Sequence, residues 1–262
     1  MRSVGNESDS LESGTVRPVV GLALGGGGAL GAAHVGVLRA VRERGIHPKV
    51  VAGTSAGALV GAAYAAGLPL AKIEQTVREA DWSVFGRFRP SPRLGLLDSA
   101  ALLDTIDRLG GEPLIEDTPR RFAAVATDLR TREGVILDRG RLGPALRASI
   151  AVPGVFSPIV IENRLLIDGG LAANLPIEAA QHLGATFTIA VRLRPEWEYV
   201  PVVRSADAIA ELETRPNVLV IRPDLAGLSQ WSRNDVPRII DAGYRAAHDA
   251  LQDWKSTQRH AA

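Results

Sequence analysis

The sequence has no cysteine, few aromatic residues and almost no net charge, and each shortage excludes a class of protein. Without cysteine, the 262-residue chain has no disulfides, no cysteine–zinc sites and no thiol catalysis. Aromatic residues make up 5% of the chain and the formal net charge is +1, which argues against a nucleic-acid partner. No segment reaches the roughly 20 apolar residues of a membrane span. We therefore predict a cytoplasmic protein whose membrane contact, at the inner face, is peripheral.

The composition is otherwise that of a globular protein long enough for one domain with a full core. Hydrophobic residues make up 46% of the chain, and the mean hydropathy is +0.07. The N-terminus is polar, rich in Ser, Gly and Glu, and has no signal-peptide core. We therefore predict a disordered tail over residues 1–17, one domain over residues 18–255 and a C-terminal tail over residues 256–262.

Short apolar runs alternate with segments of helical spacing. Strands are predicted at Val19–Leu24, Val50–Ala52, Arg121–Leu129, Glu133–Asp138, within Ser149–Ile161, at Arg164–Gly170, Thr186–Leu193 and Asn217–Pro223. Helices are predicted at Gly31–Arg44, Ala56–Ala66, Leu70–Glu79, Ser99–Leu109, Leu142–Ala148, Pro176–Leu183 and Asp235–Trp254, and residues 194–216 are predicted as a surface excursion. This alternation is typical of a parallel sheet with helices on its faces. The predicted fold is a three-layer α/β/α arrangement with a mainly parallel central sheet.

A serine stands between two glycines where a predicted strand meets a predicted helix, in the G-x-S-x-G pattern of Gly53–Gly57. A serine hydroxyl is a weak nucleophile, and a sharp strand-to-helix turn exposes and orients it. Crowding at such a turn requires small residues at Gly53 and Gly57, and the helix N-terminus favours developing negative charge nearby. The pattern indicates that Ser55 is a nucleophile. The alternative is a glycine turn with Ser55 near the helix N-cap.

A glycine loop, which includes Gly26, Gly27 and Gly28, follows the first strand. Its amides could hold either a developing oxyanion or a phosphate. Gly26–Gly31 fits the dinucleotide fingerprint, which also needs an acidic residue roughly 20 positions later. No Asp or Glu lies between Glu43 and Glu74, and no Lys-Ser or Lys-Thr follows the glycines as in a Walker loop. We interpret the segment as an oxyanion loop; a nucleotide-binding regulatory protein is the alternative.

Asp168 follows an apolar strand at its carboxyl end, where active sites of parallel sheets collect, and this makes it a candidate site residue. Gly169 and Gly170 leave room around the carboxylate, but this position taken alone favours an aspartate that simply begins a turn. None of the five histidines directly follows a predicted strand: His34, His47, His182, His248 and His260. A Ser–Asp–His triad with His182 or His248 remains an alternative. The acidic residues and histidines lack metal-ligand spacing, so neither a metal nor a cofactor is predicted.

Three glycine-rich motifs in a fixed order resemble the patatin-like phospholipase family, in its bacterial single-domain form. They are GGGALG from Gly26, GTSAG from Gly53 and DGG from Asp168, supported by RFAAVATDL from Arg121, RASIAVPGVFSPI from Arg147 and the extension of the third motif to Ala185. The resemblance runs from about Pro18 to Leu193, with a looser match in the closing helix. It implies a patatin-like fold, related in architecture to the α/β-hydrolases.

The resemblance implies a Ser–Asp dyad without histidine. Ser55 would attack the ester carbonyl and form an acyl-enzyme, while Asp168 would accept its proton, directly or through water, and later activate the hydrolytic water. The amides of the Gly26–Gly28 loop would stabilise the oxyanion, and Gly31, Gly53, Gly57, Gly169 and Gly170 would support the motifs. The implied substrates are lipid esters, cleaved as by a phospholipase A or lysophospholipase. Asn174 and Pro176 would shape the loop after the aspartate.

Two further features bear on the substrate. Many bacterial members carry Arg or Lys where this chain has Leu30, which puts in doubt a direct charge contact between that position and a lipid phosphate. The segment Ser83–Asp98 combines phenylalanines, leucines and arginines. That combination suits a lid or membrane-contact patch over the pocket, and equally an ordinary solvated loop.

Overall fold

A computed structural model gives the structure of the chain and describes residues 18–80, 113–193, 206–229 and 233–252. The strands are β1 (Val20–Leu24), β2 (Val50–Thr54), β3 (Arg121–Asp128), β4 (Gly134–Leu137), β5 (Ile159–Ile161), β6 (Arg164–Asp168), β7 (Phe187–Val191) and β8 (Val218–Ile221). The helices of the described part are α1 (Ala33–Glu43), α2 (Ala56–Ala65), α3 (Leu70–Glu79), α4 (Leu142–Ser149), α5 (Gly170–Ala173), α6 (Ile177–His182), α7 (Ala206–Glu213) and α8 (Val236–Ala250).

The strands form one mixed sheet in which hydrogen-bonded neighbours follow the path β5-β6-β3-β2-β1-β7-β8 and β4 is also paired to β3. Along β3, strands β2 and β6 lie end to end on one edge and β4 lies on the other. The central pairs β3–β2, β2–β1, β1–β7 and β7–β8 are all parallel. The pairs formed by β4, β5 and β6 are antiparallel. A mainly parallel central sheet was predicted and is confirmed, with an antiparallel corner at one side.

Side chains of the parallel strands alternate between two apolar layers, because successive residues of a strand point to opposite faces. Leu22 and Leu24 of β1 belong to the larger core cluster, together with residues of α1, α2 and α8. Ala23 of β1 belongs to the second cluster, together with Ile177 of α6 and Leu212 of α7. The sheet is thus covered by helices on both faces, as expected for strands that are apolar along their whole length.

Several predicted boundaries differ from the structure. Residues Gly28–Ala32 form a short 3₁₀ helix, so α1 begins at Ala33 rather than at Gly31. The predicted surface excursion over residues 194–216 contains α7, which forms because Leu212 is buried against the sheet. The predicted N-terminal tail, the Ser83–Asp98 loop, the Ser99–Leu109 helix and the C-terminal tail lie outside the described residues. In the part of the chain that is described, no helix has the length and apolarity needed to cross a membrane.

Candidate active site

Strand β3 brings Ser55 and Asp168 together, because β2 and β6 share one of its edges. Thr54, the last residue of β2, is paired with Val125 of β3. Asp168, the last residue of β6, is paired with Ala126, the next residue along β3. Since β4 is paired with both Val125 and Ala126, it occupies the opposite edge. The carboxyl ends of β2 and β6 therefore meet head-on beside β3, and Ser55 follows directly at their junction.

Asp168 reaches this junction for a different reason from the one that the sequence suggested. Asp168 was predicted at the carboxyl end of a strand in a parallel sheet. It does end a strand, but β6 is antiparallel to β3. The side chain reaches the carboxyl ends of the parallel strands because β6 approaches them from the opposite direction.

The serine hydroxyl and the aspartate carboxylate form a direct hydrogen bond. Ser55 Oγ donates to Asp168 Oδ2 at 2.7 Å across 113 positions of sequence. The backbone N–H of Gly170 donates to Asp168 Oδ1 at 2.7 Å. Burial raises the pKa of Asp168 from 3.8 to about 6, against the lowering effect of both hydrogen bonds. The carboxylate is therefore more basic than an exposed aspartate, yet still ionised at neutral pH.

The turn that carries Ser55 is sharp and strained. Ser55 has φ 53° and ψ −122°, a positive φ that a residue with a Cβ rarely adopts. A Cβ at Gly53 would lie 2.5 Å from the Cα of Ala58, and one at Gly57 would lie 2.1 Å from the carbonyl oxygen of Leu24. Ser55 occupies the N-cap position of α2 but makes no capping hydrogen bond. Its hydroxyl is directed to Asp168 instead of to the helix.

A second serine, which the sequence did not reveal as a site residue, anchors this turn to β3. The backbone N–H of Ser55 donates to Ser149 Oγ at 2.9 Å, and Ser149 Oγ donates to the carbonyl of Val125 at 2.6 Å. Ser149 is fully buried at the end of α4. Its only sequence signal was its place in the Arg147–Ile159 segment that carries part of the family resemblance.

The glycine loop lies against the turn that carries Ser55. A Cβ at Gly26 would lie 3.2 Å from the Cβ of Ser55. The N–H of Gly26 donates to both Asn174 Oδ1 and the Asn174 carbonyl, each at 3.2 Å. Within the described ranges, nothing accepts a hydrogen bond from the N–H of Gly27 or Gly28. Of the three predicted amides, Gly26 is thus engaged and the other two have capacity for a ligand.

The remaining motif glycines allow close contacts between the elements of the site. A Cβ at Gly31 would lie 2.5 Å from the Cβ of Ala56, so the glycine loop packs tightly against the start of α2. A Cβ at Gly169 would lie 2.2 Å from the carbonyl oxygen of Val125 on β3. The glycine loop therefore contacts the start of α2 directly, and the motif that begins at Asp168 contacts β3.

Three of the four histidines in the described part form hydrogen bonds away from the serine–aspartate pair. His182 Nε2 lies 3.1 Å from Asp138 Oδ2, and His248 Nε2 lies 3.2 Å from a guanidinium nitrogen of Arg44. His34 Nε2 contacts a backbone carbonyl. None of these rings bonds to the serine–aspartate pair. The described residues also contain no group of three or more His, Asp or Glu that could hold a metal ion.

The chain is similar to known proteins of one family. The model of the patatin-like phospholipase family matches residues 22–181. An uncharacterized NTE family protein of Mycobacterium tuberculosis is 41% identical over 188 residues, which cover 69% of this chain and 50% of the relative. Patatin-like phospholipase domain-containing protein 6 of Mus musculus is 33% identical over 179 residues, which cover 66% of this chain and 13% of the relative.

A solved structure supports the same fold. The crystal structure of VipD from Legionella pneumophila superimposes with a TM-score of 0.53 at 14% identity, over 90% of this chain and 67% of VipD. At this identity the likeness concerns the fold. The chain spans about half the length of the mycobacterial relative that it matches. The family model covers more than half of the chain, and on that match the chain belongs to the patatin-like phospholipase family.

Proposed function

We propose that the chain is a serine acyl hydrolase that cleaves carboxylic esters of lipids, in the manner of a phospholipase A or a lysophospholipase. The observation that carries the proposal is the 2.7 Å hydrogen bond from Ser55 Oγ to Asp168 Oδ2. A serine hydroxyl within hydrogen-bonding distance of a buried base has the geometry of an activated nucleophile. The description of the family and the name of the mouse relative both refer to phospholipases, which supports a lipid ester as substrate.

In the first half of the reaction, Ser55 Oγ attacks the ester carbonyl carbon and its proton passes to Asp168 Oδ2. The carbonyl oxygen becomes negatively charged and accepts hydrogen bonds from the amides of Gly27 and Gly28. When the tetrahedral intermediate collapses, the bond to the alcohol oxygen breaks. Protonated Asp168 then gives its proton to that oxygen, so that a free alcohol leaves and the acyl group stays on Ser55.

In the second half, a water molecule replaces the alcohol. Asp168, again ionised, accepts a proton from the water as its oxygen attacks the acyl-enzyme. Collapse of the second tetrahedral intermediate returns the proton to Ser55 Oγ and releases a carboxylic acid. Asp168 serves as the base in both halves. The pKa of about 6 suits this task, because the group is ionised at neutral pH and more basic than an exposed aspartate.

The substrate is proposed to reach the site from a lipid surface, through peripheral contact at the inner membrane face. A lipid ester is the partner that we propose.

The alternative functions have less support from the contacts of the site. The hydrogen bonds of His182 and His248 offer no support for a triad. The short distance between the glycine loop and Ser55 favours an oxyanion loop over a nucleotide site.

The test uses a serine-directed fluorophosphonate and a panel of phospholipids, lysophospholipids and neutral glycerides. We expect wild type to be labelled and to hydrolyse at least one lipid class. Ser55→Ala should lose the label and about 10³-fold or more of the activity. Ser157→Ala is the matched control, since this serine is exposed and takes no part in the dyad. Labelling or turnover that survives in Ser55→Ala would contradict the proposal.

A further inference from the structure

A buried histidine beneath the glycine loop has no role in the mechanism above. His34 lies in the first turn of α1 with no exposed surface. Its Nε2 lies 2.8 Å from the carbonyl oxygen of Gly25. A carbonyl oxygen can only accept a hydrogen bond, so the proton of the ring is on Nε2.

The other ring nitrogen of His34 is buried without a partner. Nδ1 has no hydrogen-bond partner among the described residues and is shielded from solvent. A buried acceptor without a donor destabilises the folded state. Packing alone does not account for this residue, because an apolar side chain of similar size would fill the space without that penalty.

The peptide that His34 contacts is held at both ends. Its carbonyl oxygen, on Gly25, accepts from His34. Its N–H, on Gly26, donates to the side-chain and backbone oxygens of Asn174. A peptide unit is planar, so fixing its oxygen and its hydrogen fixes the orientation of the whole plane. This plane directly precedes the amides of Gly27 and Gly28.

Such restraint matters because the loop consists of glycines. Glycine has more accessible backbone conformations than any other residue, and a run of glycines does not define the direction of its own amides. Donors lower the barrier of acyl transfer only when they are oriented in advance toward the developing oxyanion. The orientation of the loop must therefore come from its surroundings.

We propose that His34 is a positioning residue, whose Nε2–H, acting with Asn174, fixes the Gly25–Gly26 peptide and so directs the amides of Gly27 and Gly28 toward the substrate oxygen. The inference rests on the proposed ester hydrolase function. It assigns to His34 an indirect role, since the ring is fully buried and reaches the reaction only through the backbone of the loop.

The charge state of the ring agrees with this role. Burial lowers the pKa of His34 from 6.5 to about 4, against the raising effect of the hydrogen bond to Gly25. The ring is thus neutral at neutral pH, with one donor nitrogen. A charged ring would carry a second N–H at Nδ1, for which the described residues provide no acceptor.

The experiment compares His34→Leu, which removes the donor, with His34→Gln, whose amide can place an N–H near the position of Nε2. The substrate is p-nitrophenyl butyrate. We expect His34→Leu to lower kcat by about 10-fold to 100-fold, which is less than the roughly 10²–10³-fold cost of losing an oxyanion donor outright. We expect KM and the melting temperature to change little. His34→Gln should recover most of kcat. His47→Gln, the same change at an exposed ring, should leave all three quantities unchanged.

A second measurement separates positioning from general damage. A trifluoromethyl ketone forms a hemiketal oxyanion on Ser55, so its affinity should fall in His34→Leu by about the same factor as kcat/KM. His34→Met, with a more adaptable side chain, should behave like His34→Leu. Unchanged kcat in the apolar variants overturns the inference. So does an equal loss in the Gln and Leu variants, or failure of both apolar variants to fold. If wild type itself neither hydrolyses esters nor takes the fluorophosphonate label, the proposed function fails instead.

Discussion

The two strand ends that meet beside β3 are both energetically unfavourable, but for different physical reasons. At the end of β2, Ser55 has a positive φ in a turn lined by glycines, which is an unfavourable backbone geometry worth about 1–3 kcal/mol. At the end of β6, Asp168 has no positive φ, but its carboxylate is buried. The serine end is thus unfavourable in conformation and the aspartate end in solvation. Because the physical causes differ, mutation and pH can separate them.

The largest expected effect concerns the aspartate end and activity. In the proposed mechanism Asp168 must be ionised to accept the proton of Ser55, and burial raises its pKa to about 6. We expect kcat/KM to rise with pH around a midpoint near 6 and to level off above neutrality. Two pH units below the midpoint, about 1% of the carboxylate is ionised, so activity should fall about 100-fold.

This profile is measured with p-nitrophenyl butyrate, and near-UV circular dichroism at each pH shows whether the fold persists. A midpoint at or below 3.8 would mean that burial does not shift the pKa of the base. The aspartate end would then carry no solvation cost to contrast with the conformational cost at the serine end.

The next effect concerns the aspartate end and stability. The rise in the pKa of Asp168 from 3.8 to about 6 corresponds to about 3 kcal/mol of free energy. A pKa raised in the folded state gives a stabilising contribution below the unfolded pKa, which is lost as pH rises through the folded pKa. At pH 8 the buried charge thus destabilises wild type. We expect Asp168→Asn to be more stable than wild type by about 1–3 kcal/mol at pH 8, and the difference to vanish near pH 3.

Urea unfolding at both pH values measures this difference, and Asp138→Asn is a control of opposite sign. Burial acts to raise the pKa of Asp138, but hydrogen bonds from His182 and Arg139 outweigh it and lower the pKa overall. A lowered folded pKa gives stability that is present above the unfolded pKa and lost in acid. Asp138→Asn should therefore lose stability at pH 8. A loss of stability in Asp168→Asn at pH 8 would refute the solvation account of the aspartate end.

The smallest effect concerns the backbone at the serine end. Glycine tolerates a positive φ, whereas alanine keeps the Cβ that makes it unfavourable. We expect Ser55→Gly to be more stable than Ser55→Ala by about 1 kcal/mol, after allowance for the greater entropy of glycine in the unfolded chain. Thermal unfolding measures the difference. At Ser157, which has no positive φ, the same pair should show the reverse order. The same order at both positions would count against strain at Ser55.

The local parts of this protein could be predicted from the sequence because they have local causes. The helix α3 was predicted with its observed bounds, since its apolar residues repeat at helical spacing. The turn at Gly53–Gly57 follows from the need for small residues beside a sharp bend. By contrast, α7 was missed, because it lies in a stretch rich in Pro, Glu and Arg. The burial of Leu212 against the sheet stabilises this helix despite that composition.

The parts that escaped prediction depend on contacts between distant segments. Ser149 looks like any serine at the end of a helix, and only its position between Ser55 and β3 distinguishes it. The hydrogen bond from the N–H of Gly26 to Asn174 Oδ1 joins residues that are 148 positions apart in sequence. The role proposed for His34 likewise depends on a carbonyl nine positions earlier, whose orientation no pattern of residues discloses.

The sequence by itself determined which groups are available at this site: one serine between glycines, one aspartate before glycines and a run of glycines after a strand. Each follows from short-range sterics, because a tight turn accepts only small neighbours. The tertiary structure decided that these groups lie close together, with Ser55 hydrogen-bonded to Asp168. The register of β2 and β6 along one edge of β3 sets the distance between Ser55 and Asp168. Burial, which depends on the whole packed core, sets the basicity of the carboxylate.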